Sequence, residues 1–473
     1  MTATQEKKAR FKMPSAYTVL ILIILAIAAI SFVIVDPMIQ KATLPNVVMA
    51  PVLGFVDAID VSLFVLVLGG FLGVINKTGV LYKGIANIVQ RLNGKERLLI
   101  PILMIIFSVG GTTYGMAEET IAFYSLIVAT MMAAGFDPLV GAATILLGAG
   151  AGVLGSTINP FAISVAVDTA KTAGVETNQG IIILLGTILW FTTLAICIWF
   201  VMSYAKKIHN NLGGSILSKQ ELSDAQKAFG AGDKEEDITL SGRGKLVLSL
   251  FAFSFVVMIV SLIPWESFGV TIFNSWTAGL TGESFGNWYF RELAAWFFII
   301  SIVCGLVYRL KEKEIVDAFI AGAGDMIGVA LVIAVSRGIY VIMQDTNLNE
   351  FILTNAAKAL NGMNAIPFTV MSYIIYIGLS FLIPSTSGLA TSSMGIFAPL
   401  AQGLNLNPNV MIMIFSAACG LVNLITPTSG VVMGGLAISK VEYSTWVKFV
   451  LKVVATIFVV NIVILSVAML LLK

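Results

Sequence analysis

Four short polar stretches interrupt otherwise apolar sequence: "GGTTYGMAEET" at 110–120, "GAGAGVLGSTINPFAIS" at 148–164, "PSTSGLATSS" at 384–393 and "NLITPTSG" at 423–430. Hydroxyls, amides and glycines dominate them, and only the first carries charge, on Glu118 and Glu119. Such residues suit reversible coordination of a small solute or ion rather than bond-making chemistry. Where a helix breaks, free N–H groups at one half-helix suit a carboxylate. Free C=O groups at the other, helped by hydroxyls, suit a desolvated Na⁺. The candidates are Thr112, Thr113, Glu118 and Glu119 in the first stretch and Ser156, Thr157 and Asn159 in the second. The third offers Ser385, Thr386 and Ser387, and the fourth Asn423, Thr426, Thr428 and Ser429. A Na⁺ ion would be expected near Thr112, Asn159, Ser385 or Thr428. A single Ser/Thr/Gly break more often marks close helix packing. Four at related positions favour binding.

The surrounding sequence places these breaks in a membrane. Of the 473 residues, 58% are hydrophobic and only 11% charged, against about a quarter charged in soluble domains. Apolar runs recur at the length needed to cross roughly 30 Å of hydrocarbon. Cys197, Cys304 and Cys419 all lie in apolar segments, without metal-ligand spacing. The lone His209 follows Lys206 and Lys207 at the end of a span, badly placed for general-base work. No nucleotide-binding or zinc-hydrolase motif is present. These features argue against an enzyme, an ATP-driven pump or a nucleic-acid partner. The basic amino terminus precedes a long apolar run with no cleavage pattern, which reads as a retained first helix.

The chain reads as an all-α polytopic membrane protein. Clear spans are 16–35, 59–75, 180–203, 245–263, 290–308 and 446–472, with 326–343 less regular. Regions 97–134 and 365–402 read as two re-entrant helical hairpins, because their first arms are short for a full crossing. Segments 138–170 and 406–439 read as discontinuous transmembrane helices. Basic flanks at "KKARFK", 76–97, Lys206–Lys207 and "YRLKEK" put the amino terminus in the cytoplasm. The polar tract 204–244 reads as a cytoplasmic linker, and 245–263 as a connecting helix.

The two halves superpose in sequence. Span 59–75 falls on 327–343 at an offset of 268, hairpin 97–134 on 365–402 and broken segment 138–170 on 406–438. An inverted repeat of 1–203 and 264–473 is expected, with substrate held between the halves, as in secondary transporters.

Charges inside the spans refine the site. Arg337 stands mid-span, with Glu119 or Asp325 its expected partner, and Asp57 and Asp60 toward helix ends. Two carboxylates against one arginine mildly favour a cationic or zwitterionic substrate. A channel would need more polar lining than the spans supply.

The hairpins, "GSTINPFAIS" and "NLITPTSGVVMGGLAISKVEYSTW" resemble the YfcC-like branch of the ion transporter superfamily, over nearly the whole chain outside 204–244. That branch is grouped with basic amino acid antiporters and is akin to anaerobic C4-dicarboxylate carriers. The resemblance implies an elevator-type fold, a homodimer and a bacterial cytoplasmic membrane. It implies a substrate flanked by Ser156–Asn159, Thr426–Ser429 and both hairpin tips. Exchange, or coupling to H⁺ or Na⁺, would drive transport, with no other cofactor. Neither "TTYG" nor "PSTSG" carries the asparagine that sodium-coupled relatives place at these tips. The expected substrate is a small basic amino acid; the alternative is a C4-dicarboxylate or other small organic anion.

Overall fold

A computed structural model describes residues 16–81, 83–84, 87, 95–209, 211–229, 240–262 and 265–472. The first group of helices is α1 (Ala16–Val33), α2 (Leu44–Asp57), α3 (Ile59–Lys77), α4 (Leu99–Tyr114) and α5 (Tyr124–Ala133). Next come α6 (Pro138–Leu154), α7 (Val165–Thr172), α8 (Gln179–Ile208), α9 (Lys219–Phe229) and α10 (Gly242–Leu262). They are followed by α11 (Phe290–Tyr308), α12 (Glu312–Asp325), α13 (Ile327–Asp345), α14 (Leu348–Leu360) and α15 (Ala365–Leu382). The last are α16 (Thr386–Gly403), α17 (Pro408–Asn423), α18 (Gly430–Ser439) and α19 (Tyr443–Leu471). Among the described residues eight helices are long and apolar enough to span a bilayer: α3, Glu96–Thr113 containing α4, α8, α10, α11, α13, α15 and α19. The chain is a multi-pass, all-α membrane protein.

Local chemistry sets the ends of the irregular segments. Both broken helices open alike: Asp137 caps α6 through Val140 N and Asn407 caps α17 through Asn409 N, each followed by proline at the first helical position. There the missing N–H costs nothing, because the first turn has no intrahelical acceptor. Helix α4 ends at Gly115, whose φ of +78° closes it in the left-handed region. A six-residue 3₁₀ turn, Glu118–Phe123, then leads into α5. The arms expected to be short for a crossing are longer than the sequence suggested: Glu96–Thr113 and Ala365–Leu382 have 18 residues each, enough to span.

Helices α2 and α12 are absent from the sequence reading, and they stand at the same offset as the spans that do match. Helices α2 and α12 are 14 residues each, start 268 residues apart and precede α3 and α13, which are 19 residues each at the same offset. Hydropathy passes over α2 because Pro51 interrupts it, and over α12 because Glu312, Lys313 and Glu314 open it. Both starts are well capped: Thr43 N donates to Asn46 Oδ1 and Lys311 N to Glu314 Oε2. Glycines let α2 lie against α13 and α12 against α3. A Cβ on Gly54 would stand 2.5 Å from Ala334 O, and one on Gly322 would stand 2.2 Å from Gly69 O. Gly54 and Gly322 stand 268 residues apart, and each lies against backbone of the other half. Ser62 Oγ donates to Ala330 O, 268 residues on.

The breaks leave carbonyls that hydrocarbon cannot solvate, and other elements supply donors. Thr112 Oγ1 donates to Gly155 O at 2.8 Å, just past α6. Past α17, Trp446 Nε1 donates to Leu424 O at 2.9 Å and Tyr443 OH to Ile425 O at 2.8 Å. Trp446→Phe removes the indole N–H and orphans a buried carbonyl, at a cost of about 1–3 kcal/mol, and the smaller ring adds the cost of a cavity at this fully buried position. A lowered melting temperature is expected; an unchanged one would mean the carbonyl has another donor.

The linker departs from the sequence reading. Helix α8 runs on to Ile208, and residues 211–229 are folded against the body of the protein rather than hanging free. Leu217, Glu221 and Ala225, spaced four apart, are all buried. A carboxylate on that face conceals the apolar pattern. Asp137 Oδ2 accepts from Tyr204 OH and Ser215 Oγ, both at 2.6 Å. Burial pushes the Asp137 carboxyl above the usual carboxylate range, and these two bonds pull it the other way.

Candidate functional site

The first two polar breaks form one buried cluster. Thr157 Oγ1 donates to Thr112 O at 3.0 Å, and Thr112 Oγ1 lies 3.2 Å from Thr157 Oγ1. Asn159 Nδ2 donates to Ser156 Oγ at 2.9 Å, while its Oδ1 accepts from Phe161 N and Ala162 N. Asn159 thereby caps the π-turn Pro160–Ser164 that leads into α7. Gly115 has a second role here: a Cβ would sit 2.6 Å from Asn159 Oδ1. Hairpin tip and helix break are therefore locked together. Thr113 faces away, donating to Val109 O in its own helix.

The second pair of breaks forms a looser cluster. Thr426 Oγ1 and Thr428 Oγ1 are 2.7 Å apart, and Thr428 Oγ1 donates to Phe381 O at 3.3 Å. Ser385 caps α16 through Gly388 N, and Ser429 caps α18 through Val432 N. Thr386 and Ser387 are half-buried in the first turn of α16, and Asn423 is half-buried at the end of α17.

Arg337 draws several elements together, though not with the partners expected. Its Nε lies 3.8 Å from Asp57 Oδ2, at the end of α2. Asp325 sits before the start of α13, twelve positions and about 18 Å of helix away. The Glu119 side chain lies outside the described residues. Asp57 stands 268 positions before Asp325, and it was missed as the partner because α2 itself was not recognised. Asp60 binds Arg291 instead, at 2.8 Å. One turn before Arg337, Ile333 lies against Gly430 at the start of α18; one turn after it, Tyr340 faces Gly388 at the start of α16. Arg337 therefore stands on α13 between the residue that packs on the start of α18 and the residue that packs on the start of α16, and its side chain is half-buried.

This arrangement can be compared with known proteins. A family model described as C4-dicarboxylate anaerobic carrier matches residues 24–470. The chain belongs to that family. A protein of Haemophilus influenzae named only "Uncharacterized protein" is 31% identical over 88% of this chain and 76% of its own length. Escherichia coli K12 has a relative named "Putative basic amino acid antiporter YfcC", 27% identical over 85% of this chain and 76% of its own. Two solved transporters are also similar. YdaH of Alcanivorax borkumensis has 15% identity and a TM-score of 0.44, over 96% of this chain and 98% of its own. MtrF of Neisseria gonorrhoeae has 17% identity and a TM-score of 0.43, over 98% and 96%. As a member of the carrier family, the protein is a secondary transporter of the ion transporter superfamily and not an enzyme.

Proposed function

We propose that the protein carries C4-dicarboxylates or closely related small organic anions across a bacterial cytoplasmic membrane. The observation that carries this reading is the place of Arg337 on α13, one turn from Ile333, which packs on Gly430 of α18, and one turn from Tyr340, which packs on Gly388 of α16. A guanidinium matches a carboxylate as a two-pronged donor, and helix amino termini favour anions. A substrate with two carboxylates has a donor set for each. The family match over 24–470 supports the same class.

The basic amino acid reading keeps one specific support, the carboxylate of Asp57 3.8 Å from Arg337 Nε. On the anion reading Asp57 balances Arg337 while no substrate is bound. Thr426, Thr428 and the Phe381 carbonyl form the oxygen cluster best suited to a coupling Na⁺; in the Thr112–Asn159 cluster the oxygens are committed to one another. Coupling to H⁺ is the other option.

The matched helix lengths and the swapped Gly54 and Gly322 contacts support an inverted repeat of 1–203 and 264–473. The hairpins 97–134 and 365–402 and the broken helices 138–170 and 406–439 belong to its moving part, and 245–263 connects the halves. A homodimer with a cytoplasmic amino terminus completes the proposal. Melting the purified protein with succinate, fumarate, malate, arginine, ornithine and lysine, each with and without Na⁺, tests it, because a ligand of the folded state raises the melting temperature. A rise with dicarboxylates is expected. A rise with basic amino acids alone would overturn the anion reading.

A further inference from the structure

A cavity of about 630 Å³ opens between the end of α3, helix α5, the α12–α13 junction, the end of α18 and the end of α9. Its polar lining includes Asn76, Ser125, Asp325 and Lys440, and Ala228 and Phe229 of α9 close one wall. Val329 also lines it, and on the same helix Arg337 lies eight residues further, about 12 Å along the axis. Between the two levels, Gly434 and Gly430 of α18 press on Val329 and Ile333. The cavity is therefore a chamber at one end of the α13–α18 seam, with the proposed anion site further along it.

Helix α9 is fastened to that chamber by a carboxylate that a free linker would not bury. Glu221 is 4% exposed. Its Oε2 accepts from Ser218 N at 2.7 Å and its Oε1 from Glu442 N at 2.9 Å. The second bond joins the linker to the turn between α18 and α19. At its other end the strap is held by Ser215 and Tyr204 on Asp137, beside the start of α6. Backbone donors to a carboxylate make strong hydrogen bonds. These anchors tie α9 to segments that carry both broken helices, while its last two residues reach the chamber mouth.

We propose that this cavity is the access chamber through which substrate reaches Arg337 from the α9 side, and that α9 is a strap, latched by Glu221, whose end at Phe229 restricts entry. The proposal rests on the carrier reading for its substrate, but the strap has a readout of its own. Ser125→Cys places a thiol on the chamber wall, and the native cysteines are all buried. Purified protein in nanodiscs would be labelled with a membrane-impermeant maleimide, with and without Glu221→Ala. Releasing the latch should raise the labelling rate about tenfold, by populating an opened strap. Phe229→Ala, which leaves both anchors intact, should also raise it. Unchanged rates in both variants would overturn the strap, even if succinate still shifts the melting temperature. If Glu221→Ala fails to fold, Phe229→Ala decides alone. Faster labelling with no effect of any dicarboxylate would keep the strap and remove the anion substrate.

Discussion

Arg337→Gln is expected to weaken dicarboxylate binding roughly ten- to hundredfold, the loss that follows removal of hydrogen bonds to a charged group. The fold should survive. Arg337 is half-buried, its contact with Asp57 is single and 3.8 Å long, and the Asp57 side chain is 47% exposed. Its removal therefore leaves Asp57 with access to solvent. Arg337→Lys should fall between, because an ammonium keeps the charge but not the planar fork. Titrating the melting temperature with succinate reads all three proteins. Undiminished affinity in Arg337→Gln would move the anion away from α13. Glu118→Gln supplies the counter-test: it should spare or improve dicarboxylate affinity, and it would destroy affinity for arginine if the substrate were cationic.

The largest effect on stability is expected from Gly152→Ala. A Cβ there would stand 2.1 Å from Ser108 O and 2.7 Å from Thr112 N. Both are backbone atoms of α4, so no rotamer change can make room. The helices must separate, at a cost of about 3 kcal/mol, the upper part of the usual range for overpacking. Separation would also pull Thr112 away from Thr157 and loosen the first polar cluster. Gly378→Ala on α15 is the matched control. Nothing lies within 4 Å of its Cβ position, and the added methyl improves helix propensity by up to about 1 kcal/mol. Thermal unfolding of both variants should give a large drop and a small rise. Equal behaviour would show that the α4–α6 spacing is not fixed by Gly152.

Hydropathy made the long helices and the polar breaks legible, because a bilayer demands length and apolarity of each crossing. Span 290–308 coincides with α11, and both broken segments end within two residues of their expected limits. The polar residues at the breaks were legible as a set, yet not their division of labour. Thr112 and Thr157 meet across elements and Thr428 reaches the Phe381 carbonyl, while Asn159 and Thr426 bond within their own breaks and Thr113 turns back on its own helix. Asp57 and the buried face of α9 were hidden for a physical reason. One is partnered by an arginine 280 positions later in sequence, and no periodicity reports which helix lies opposite. The other places Glu221 where the pattern wants a leucine.

The close approaches in this fold are of two mechanical kinds. Where α2 meets α13, α3 meets α12 and α4 meets α6, an absent side chain lets backbone rest on backbone, and the parts are keyed like a tongue in a groove. Where α18 meets α13, Gly430 and Gly434 rest on the side chains of Ile333 and Val329 rather than on backbone. A side chain can shift by tenths of an ångström where backbone cannot, so that seam is the softer of the two joints.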